Sequence, residues 1–496
     1  MSAHNIGIIT VFVVYIAVMI LIGMRFFRGT KTLSDYVLGG RKLNSWVTAL
    51  SAQASDMSGW LMMGLPGAAY LAGIEASWIA IGLAVGTYLN WKIIARCLRK
   101  YTEIAGNSIT LSDFFENRFR DNTKVLRIVS AIFILIFFLF YTASGFVAGG
   151  KLFSSIFGIP YITALTIGVL VIICYTFLGG FLAVCWTDFI QGTLMFFAML
   201  IVPFAAMEAI GGIGTTFNNF NNISPHFLSM FTSTDSGTAL SSIAIISSLA
   251  WGLGYFGQPH ILVRFMGIRS SEEIKKSRLI AMVWVILSLA GAVLVSMVGR
   301  LYISQPLTNG AEETVFMLMV NQMFPTLIAG IFLVAALAAI MSTADSQLLV
   351  TASAFAQDFY KTLFKKESSD RELVWIGRFA VLVVAVISYF IAFNPESSVL
   401  DLVSYAWAGF GAAFGPTIIM SLFWKRMTRS EALAGIIIGG VMVIIWKQLS
   451  GGIFDLYEIV PGFVLSLIAI YVFSMLSKKP SKEIQEEFES VKTSNI

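Results

Sequence analysis

Asp56 is a carboxylate in the middle of a largely apolar stretch, Ser45 to Gly73, with Ser55, Met57, Ser58, Gly59 and Trp60 around it. A charge in such a setting is expensive in a membrane and by default marks an ion or substrate pathway. An ion pair or a helix cap is the plain structural alternative. A second polar island, Ser342-Thr343, closes the small-residue run Ala335 to Met341. Small residues let helices approach closely. The two hydroxyls can back-bond to carbonyls one turn earlier or, beside a broken helix, join freed carbonyls around a hard cation. A site of that kind has no formal charge among its direct ligands, so it can take up Na+ and still release it. Asp188, after Thr187 at the start of another apolar run, is either an ion exit step or a helix-terminal charge favourable to the dipole. Trp251 and Tyr255 are four residues apart and are expected to share a helical face, which Pro259 extends by a turn. Beside broken backbone that face suits a small apolar ring; otherwise it is packing. Arg41, Lys42 and Glu75 read as interface markers. His4, His226 and His260 lack metal-ligand spacing and no phosphate-binding loop is present, so neither an enzyme, a resident cofactor nor direct ATP drive is indicated.

These residues lie in a chain that is 57% apolar and only 12% charged over 496 residues, against roughly 25% charged in an ordinary soluble domain. The apolar residues come in blocks of about twenty, the length that crosses a bilayer's ~30 Å hydrocarbon core. Thirteen spans are expected, at 5–27, 44–73, 76–98, 126–150, 160–182, 187–210, 238–265, 278–302, 325–358, 373–393, 397–424, 430–448 and 454–477. The fold class is therefore an all-α polytopic membrane protein. The first segment has no basic lead or A-x-A site before it and reads as a retained helix. Cys97, Cys174 and Cys185 form no disulfide or zinc framework.

The basic residues alternate with this count. One side collects Arg25, Arg28, Lys31, Arg41, Lys92, Arg118, Arg127, Arg264, Arg269, Lys361, Lys366, Lys425, the tail lysines and their neighbours; only Lys151, Arg300 and Lys447 fall on the other. Cytoplasmic loops are enriched in Lys and Arg, so the N-terminus is expected outside and the C-terminus in the cytoplasm. The net charge of +5 then reports orientation rather than a nucleic-acid partner. The charged tail after Ser477 is expected to be mobile.

Two spans are interrupted alike. The second carries Ser55, Ser58, Trp60, Gly64, Pro66 and Gly67; the seventh carries Ser247, Ser248, Trp251, Gly254, Gly257 and Pro259. Proline frees a carbonyl and glycine allows close backbone approach. In lipid such breaks persist only where they line a cavity or hold a ligand. Paired breaks five spans apart point to inverted repeats. The expected organisation is 1–43 peripheral, 44–210 first repeat, 211–237 extracellular loop, 238–424 second repeat, 425–477 two peripheral spans and 478–496 a cytoplasmic tail.

Four stretches, Ser51 to Ala68 (SAQASDMSGWLMMGLPGA), Leu178 to Asp188 (LGGFLAVCWTD), Leu249 to His260 (LAWGLGYFGQPH) and Ala338 to Val350 (AAIMSTADSQLLV), resemble the sodium/solute symporter family, most closely its proline branch. The likeness runs over nearly the whole chain. It implies a 5+5 inverted-repeat core of the leucine-transporter-like fold in a multi-pass cell-membrane protein. It further implies a sodium site from the carbonyls of Ala54, Met57 and Ala339 and the hydroxyls of Ser342 and Thr343. Asp56 would be needed for coupling, Ser58 and Gly59 would shape the ion and substrate region, and Asp188 would serve sodium release. Trp251, Tyr255 and Pro259 would form the substrate pocket, with Tyr141 a further candidate. The resemblance assigns Asp345 no role. The implied activity is Na+-driven uptake of L-proline by alternating access, with no obligatory protein partner. Another solute of the same family (pantothenate, a sugar, another amino acid), proton coupling through Asp56, and a sensor or channel are the competing readings.

Overall fold

Each long apolar block folds as a helix, because only a helix satisfies its own backbone polar groups in hydrocarbon. The structure is a computed structural model that describes residues 3–27, 32–176, 180–365 and 367–493. Arg28, Lys31, Leu178, Gly179 and Lys366, used above, lie outside the described residues. The helices that position the site are α1 (Ala3–Phe27), α2 (Ser45–Asp56), α3 (Leu65–Ala72), α4 (Ser77–Leu89), α5 (Ala95–Ile104), α6 (Leu111–Phe119), α7 (Val125–Phe157), α8 (Tyr161–Thr176) and α9 (Phe181–Ile210). They continue with α10 (Ser242–Leu249), α11 (Pro259–Gly267), α12 (Ile274–Tyr302), α13 (Thr326–Ser353), α14 (Asp370–Ile391), α15 (Val399–Phe423), α16 (Arg429–Trp446), α17 (Ile459–Leu476) and α18 (Lys482–Thr493). Among the described residues, ten helical stretches are long and apolar enough to cross a membrane. The second half of the expected second span is joined to the third in one of these stretches, Trp60–Ile104, while the broken seventh leaves only the shorter apolar helix Ser242–Gly257 and the fifth only Tyr161–Cys174.

Packing repeats with an offset of five spans. α2 lies on α9 and α12, and the broken segment Ala250–Gly257 lies correspondingly on α15 and α4. α7 packs on α15 and on α8; α13 packs on α9 and on α14. The two broken segments are thus central, each held by the outer helices of both halves. α1 packs against α13 and α9, while α16 and α17 cover α15.

Glycines allow the closest of these approaches. A Cβ on Gly86 of α4 would overlap the Gly252 backbone, and one on Gly254 would overlap the Trp407 ring. At one end of the bundle Lys151 and Glu313 form a buried ion pair with Nζ 2.6 Å from Oε2. Glu313 also accepts from the Val399 and Leu400 amides at the start of α15, a carboxylate against a helix N-terminus.

The expectation of a mobile tail is corrected. α18 is amphipathic and docks: Ile484 and Phe488 are buried, Phe488 meets Tyr101 edge-on at 6.3 Å, and the Arg118 guanidinium lies 5.4 Å from the Phe488 ring. Arg120–Glu487 and Lys425–Glu489 pairs flank that contact. The tail's apolar residues, spaced four and three apart, make one face, which the charge count had hidden.

Gly86→Ala is expected to lower the melting temperature of the detergent-solubilised protein, at the scale of an overpacked core, about 1–3 kcal/mol. Gly23→Ala, whose added methyl meets nothing within 4 Å, is expected to leave it unchanged. Equal melting of the two variants would refute the tight crossing.

Candidate ion and solute site

The first break follows from Ser55-Asp56-Met57-Ser58-Gly59. α2 ends at Asp56, and Met57 leaves helical geometry with φ −77° and ψ 71°. The Ser58 amide donates to the Asp56 carbonyl at 2.8 Å instead of reaching back to Ala54. The Ala54 carbonyl is therefore free for other donors, and it is fully buried, where an unmet acceptor would be costly. Two hydroxyls of α13 supply them: Ser342 Oγ at 2.8 Å and Thr343 Oγ1 at 3.2 Å. Ser342 Oγ also donates to the Ala339 carbonyl at 3.2 Å. Four of the five expected sodium-site residues, Ala54, Ala339, Ser342 and Thr343, thus converge across the break, and the fifth, Met57, stands at the break itself. The donor set is oxygen only and uncharged, the chemistry a monovalent hard cation favours.

Asp56 stands beside this set. Tyr255 Oη donates to its Oδ2 at 2.6 Å, while Oδ1 has no hydrogen-bond donor among the described residues. Its backbone carbonyl accepts from Trp60 Nε1 at 3.1 Å and Tyr141 Oη at 3.3 Å. Two expected substrate-pocket residues, Tyr255 and Tyr141, therefore end on one residue of the ion region. Ser58 Oγ accepts from the Trp60 amide at 3.3 Å. Gly59 has no room for a side chain, since a Cβ there would meet Ala148 of α7 at 2.6 Å.

The second break corrects one expectation. Ala250–Gly257 is a 3₁₀ stretch, which advances three residues per turn. Residues four apart are then about 120° apart, so Trp251 and Tyr255 do not form one helical face. Trp251 stacks on Tyr457 with centroids 5.6 Å apart, whereas Tyr255 meets Trp407 edge-on at 5.0 Å. Trp407 joins the two through its Nε1, which donates to the Trp251 carbonyl at 2.7 Å. Two more carbonyls of this stretch accept side-chain donors: Tyr255 O from Asn90 Nδ2 on α4's C-terminal continuation at 3.0 Å, and Gly254 O from Gln258 Nε2, four residues on, at 3.2 Å. Pro259 opens α11 at its first position, where its missing N–H costs nothing. Sequence reasoning missed Trp407, Tyr457 and Asn90. Their signals are ordinary ones, an aromatic or amide within an apolar helix.

Asp188 lies two turns inside α9, beyond the reach of the helix terminus, and is fully buried. Its Oδ2 accepts from Ser51 Oγ at 2.7 Å and from Arg264 Nη2 at 3.1 Å. Arg264, read above as a loop charge, is instead fully buried in α11. It also donates to Ser51, to the His260 carbonyl and to Ser346 Oγ at 2.5 Å. The correction is physical: a buried carboxylate needs a cation, and Arg264 supplies it from another span. Asp345, next to Ser346, is likewise buried.

The sodium:solute symporter family model matches residues 36–439. The chain is 52% identical over 482 residues to the sodium/proline symporter of Escherichia coli (strain K12), covering 96% of this chain and 94% of that one. It is 50% identical over 472 residues to the high-affinity proline transporter PutP of Bacillus subtilis (strain 168), covering 95% and 98%. The osmoregulated proline transporter OpuE of the same organism is 48% identical over 474 residues, covering 95% and 94%. Among solved structures, a Na+-coupled sialic acid symporter in a substrate-bound outward-open state superposes with a TM-score of 0.76 at 21% identity, covering 96% of this chain and 99% of that one. That likeness shows the fold.

Removing one partner of a buried pair leaves an uncompensated charge and costs about 3–5 kcal/mol. Arg264→Gln is therefore expected to lower the melting temperature strongly. Arg264→Gln combined with Asp188→Asn is expected to recover part of the loss. A double variant no more stable than the single one would show that the pair is not the dominant partner of either group.

Proposed function

The chain belongs to the sodium:solute symporter family, and on that footing we propose that it is a secondary transporter coupling inward Na+ movement to uptake of L-proline by alternating access. The carrying observation is that one freed carbonyl, Ala54, collects the Ser342 and Thr343 hydroxyls of α13 two residues before Asp56, whose carboxylate holds Tyr255. Full-length relatives named as proline transporters support the choice of solute.

In this reading Ala54, Met57, Ala339, Ser342 and Thr343 bind Na+, and Asp56, Ser58, Gly59 and Asp188 couple it. Proline lies against Trp251, Tyr255, Pro259 and Tyr141, its carboxylate meeting amides exposed at a broken helix. Na+ draws Ala54 and Met57 of the first break toward Ser342 and Thr343. That movement sets Asp56, and through Asp56 the Tyr255 and Tyr141 hydroxyls. Cation binding and solute-site geometry thereby become one equilibrium, as linkage requires. Thirteen spans with the N-terminus outside and the C-terminus cytoplasmic, and repeats at 44–210 and 238–424, complete the proposed arrangement in the cell membrane.

The driving force bounds the outcome. A ~100 mV inside-negative potential supplies about 2.3 kcal/mol per charge, and a tenfold Na+ gradient about 1.4 kcal/mol. With one Na+ per proline, their sum sustains roughly a 500-fold proline gradient.

In proteoliposomes, radiolabelled proline uptake is expected to require an inward Na+ gradient and to fall at least tenfold in Asp56→Asn. Ser342→Ala and Thr343→Ala are each expected to raise the Na+ concentration for half-maximal uptake severalfold. Uptake driven equally by a proton gradient would overturn the sodium assignment. Uptake of another solute, with none of proline, would overturn the substrate.

A further inference from the structure

Asp358 is a fully buried carboxylate that the cycle above does not use. It sits in the π-helical turn Ala354–Tyr360, which continues α13 toward the side where the basic loops gather. Thr110 Oγ1 donates to its Oδ1 at 3.1 Å. The Ser112 hydroxyl interacts with the same carboxylate, and no donor among the described residues reaches Oδ2 with hydrogen-bond geometry. The neighbouring cation is Arg127, with Nε 3.8 Å from Oδ1. That guanidinium is engaged more closely by Asp113 and by Glu116, the latter at 2.6 Å. Three carboxylates share one guanidinium, and Asp358 is both the most buried and the most distant of them.

Asp358 also lines a small cavity of about 20 Å³, room for about one water molecule. Thr110 and Ser353 are the other polar side chains of a lining that is otherwise apolar, with Val350 of α13 and Pro259 and Val263 of α11 among its members. Pro259, one of the candidate solute-pocket residues, is therefore shared by the two regions. Ser342, Ser346 and Ser353 are spaced four and seven residues apart on α13, hence on one helix face. The wider π turn carries that face on to Asp358, and π turns inside helices are frequent at functional positions. A stripe of buried oxygens thus descends from the proposed Na+ ligands to a carboxylate with an open acceptor. A carboxylate at such depth belongs to an ion path or pairs with a neighbour, and here the neighbour is shared.

The geometry points to Asp358 as a transit site for the coupling cation, taking Na+ after Ser342 and Thr343 release it and passing it to the cytoplasm. This rests on the Na+-coupled reading above. The carboxylate and the hydroxyls of Ser353 and Thr110 supply the oxygens, and Arg127 is placed to reclaim the carboxylate as the ion departs.

The test uses the full chain reconstituted in one orientation. Wild type is measured first: absence of Na+-dependent proline uptake would sink the transport reading itself, apart from this proposal. Given that uptake, Na+ loaded inside should inhibit by rebinding from the cytoplasmic side. Asp358→Asn is expected to raise the internal Na+ concentration for half-inhibition at least fivefold. Its external half-saturating Na+ and proline concentrations should change less than twofold, and Asp358→Glu should behave nearly as wild type. Should Asp358→Asn not reconstitute, Ser353→Ala carries the test with an expected internal shift of about twofold. Equal shifts on both faces, or no internal shift in a folded variant, would overturn the proposal.

Discussion

Every backbone carbonyl freed inside the membrane must find a donor, and this requirement organises the molecule. Two helices break inside the bundle, and each broken end is answered by side-chain donors, most of them from other helices. Ala54 is met by Ser342 and Thr343, Asp56 by Trp60 and Tyr141, Trp251 by Trp407, and Tyr255 by Asn90. In hydrocarbon an unmet group costs several kcal/mol, so each of these contacts ties a broken segment to the residue that supplies the donor.

The same groups are the chemistry. In the proposed function, hydroxyls gathered to satisfy a carbonyl become, with that carbonyl, an oxygen cage for a hard cation. Protein hydrogen bonds and ion coordination therefore compete for the same atoms, which makes binding reversible and tied to conformation. Asp56 links this cage to the solute side: its carboxylate holds Tyr255 and its carbonyl holds Tyr141. Deeper in the bundle the Asp188–Arg264 pair uses the same economy of buried charge, with Ser51 and Ser346 completing its hydrogen bonds.

Glycine and the 3₁₀ stretch provide the close contact that this arrangement needs. With no side chain at Gly86, Gly252 and Gly254, the broken segment presses against α4 and Trp407. The tighter coil turns Trp251 and Tyr255 away from one another, toward Tyr457 and Asp56 respectively.

The sequence by itself determined the helical membrane class and the two interrupted spans, and it singled out Asp56, Ser342 and Thr343 as the polar groups to look for around the first break. These are local signals: twenty-residue apolar blocks, glycine and proline within them, and polar groups where lipid forbids idle ones. Only the tertiary structure decided the pairings. That Arg264 belongs to Asp188, 76 residues away, that Trp407 joins Trp251 to Tyr255, and that the charged tail docks through Phe488 depend on helices meeting across the bundle. The 3₁₀ geometry that separates Trp251 from Tyr255 is likewise set by glycine contacts with neighbouring helices. Periodicity along one chain segment carries no record of which distant donor will meet a freed carbonyl.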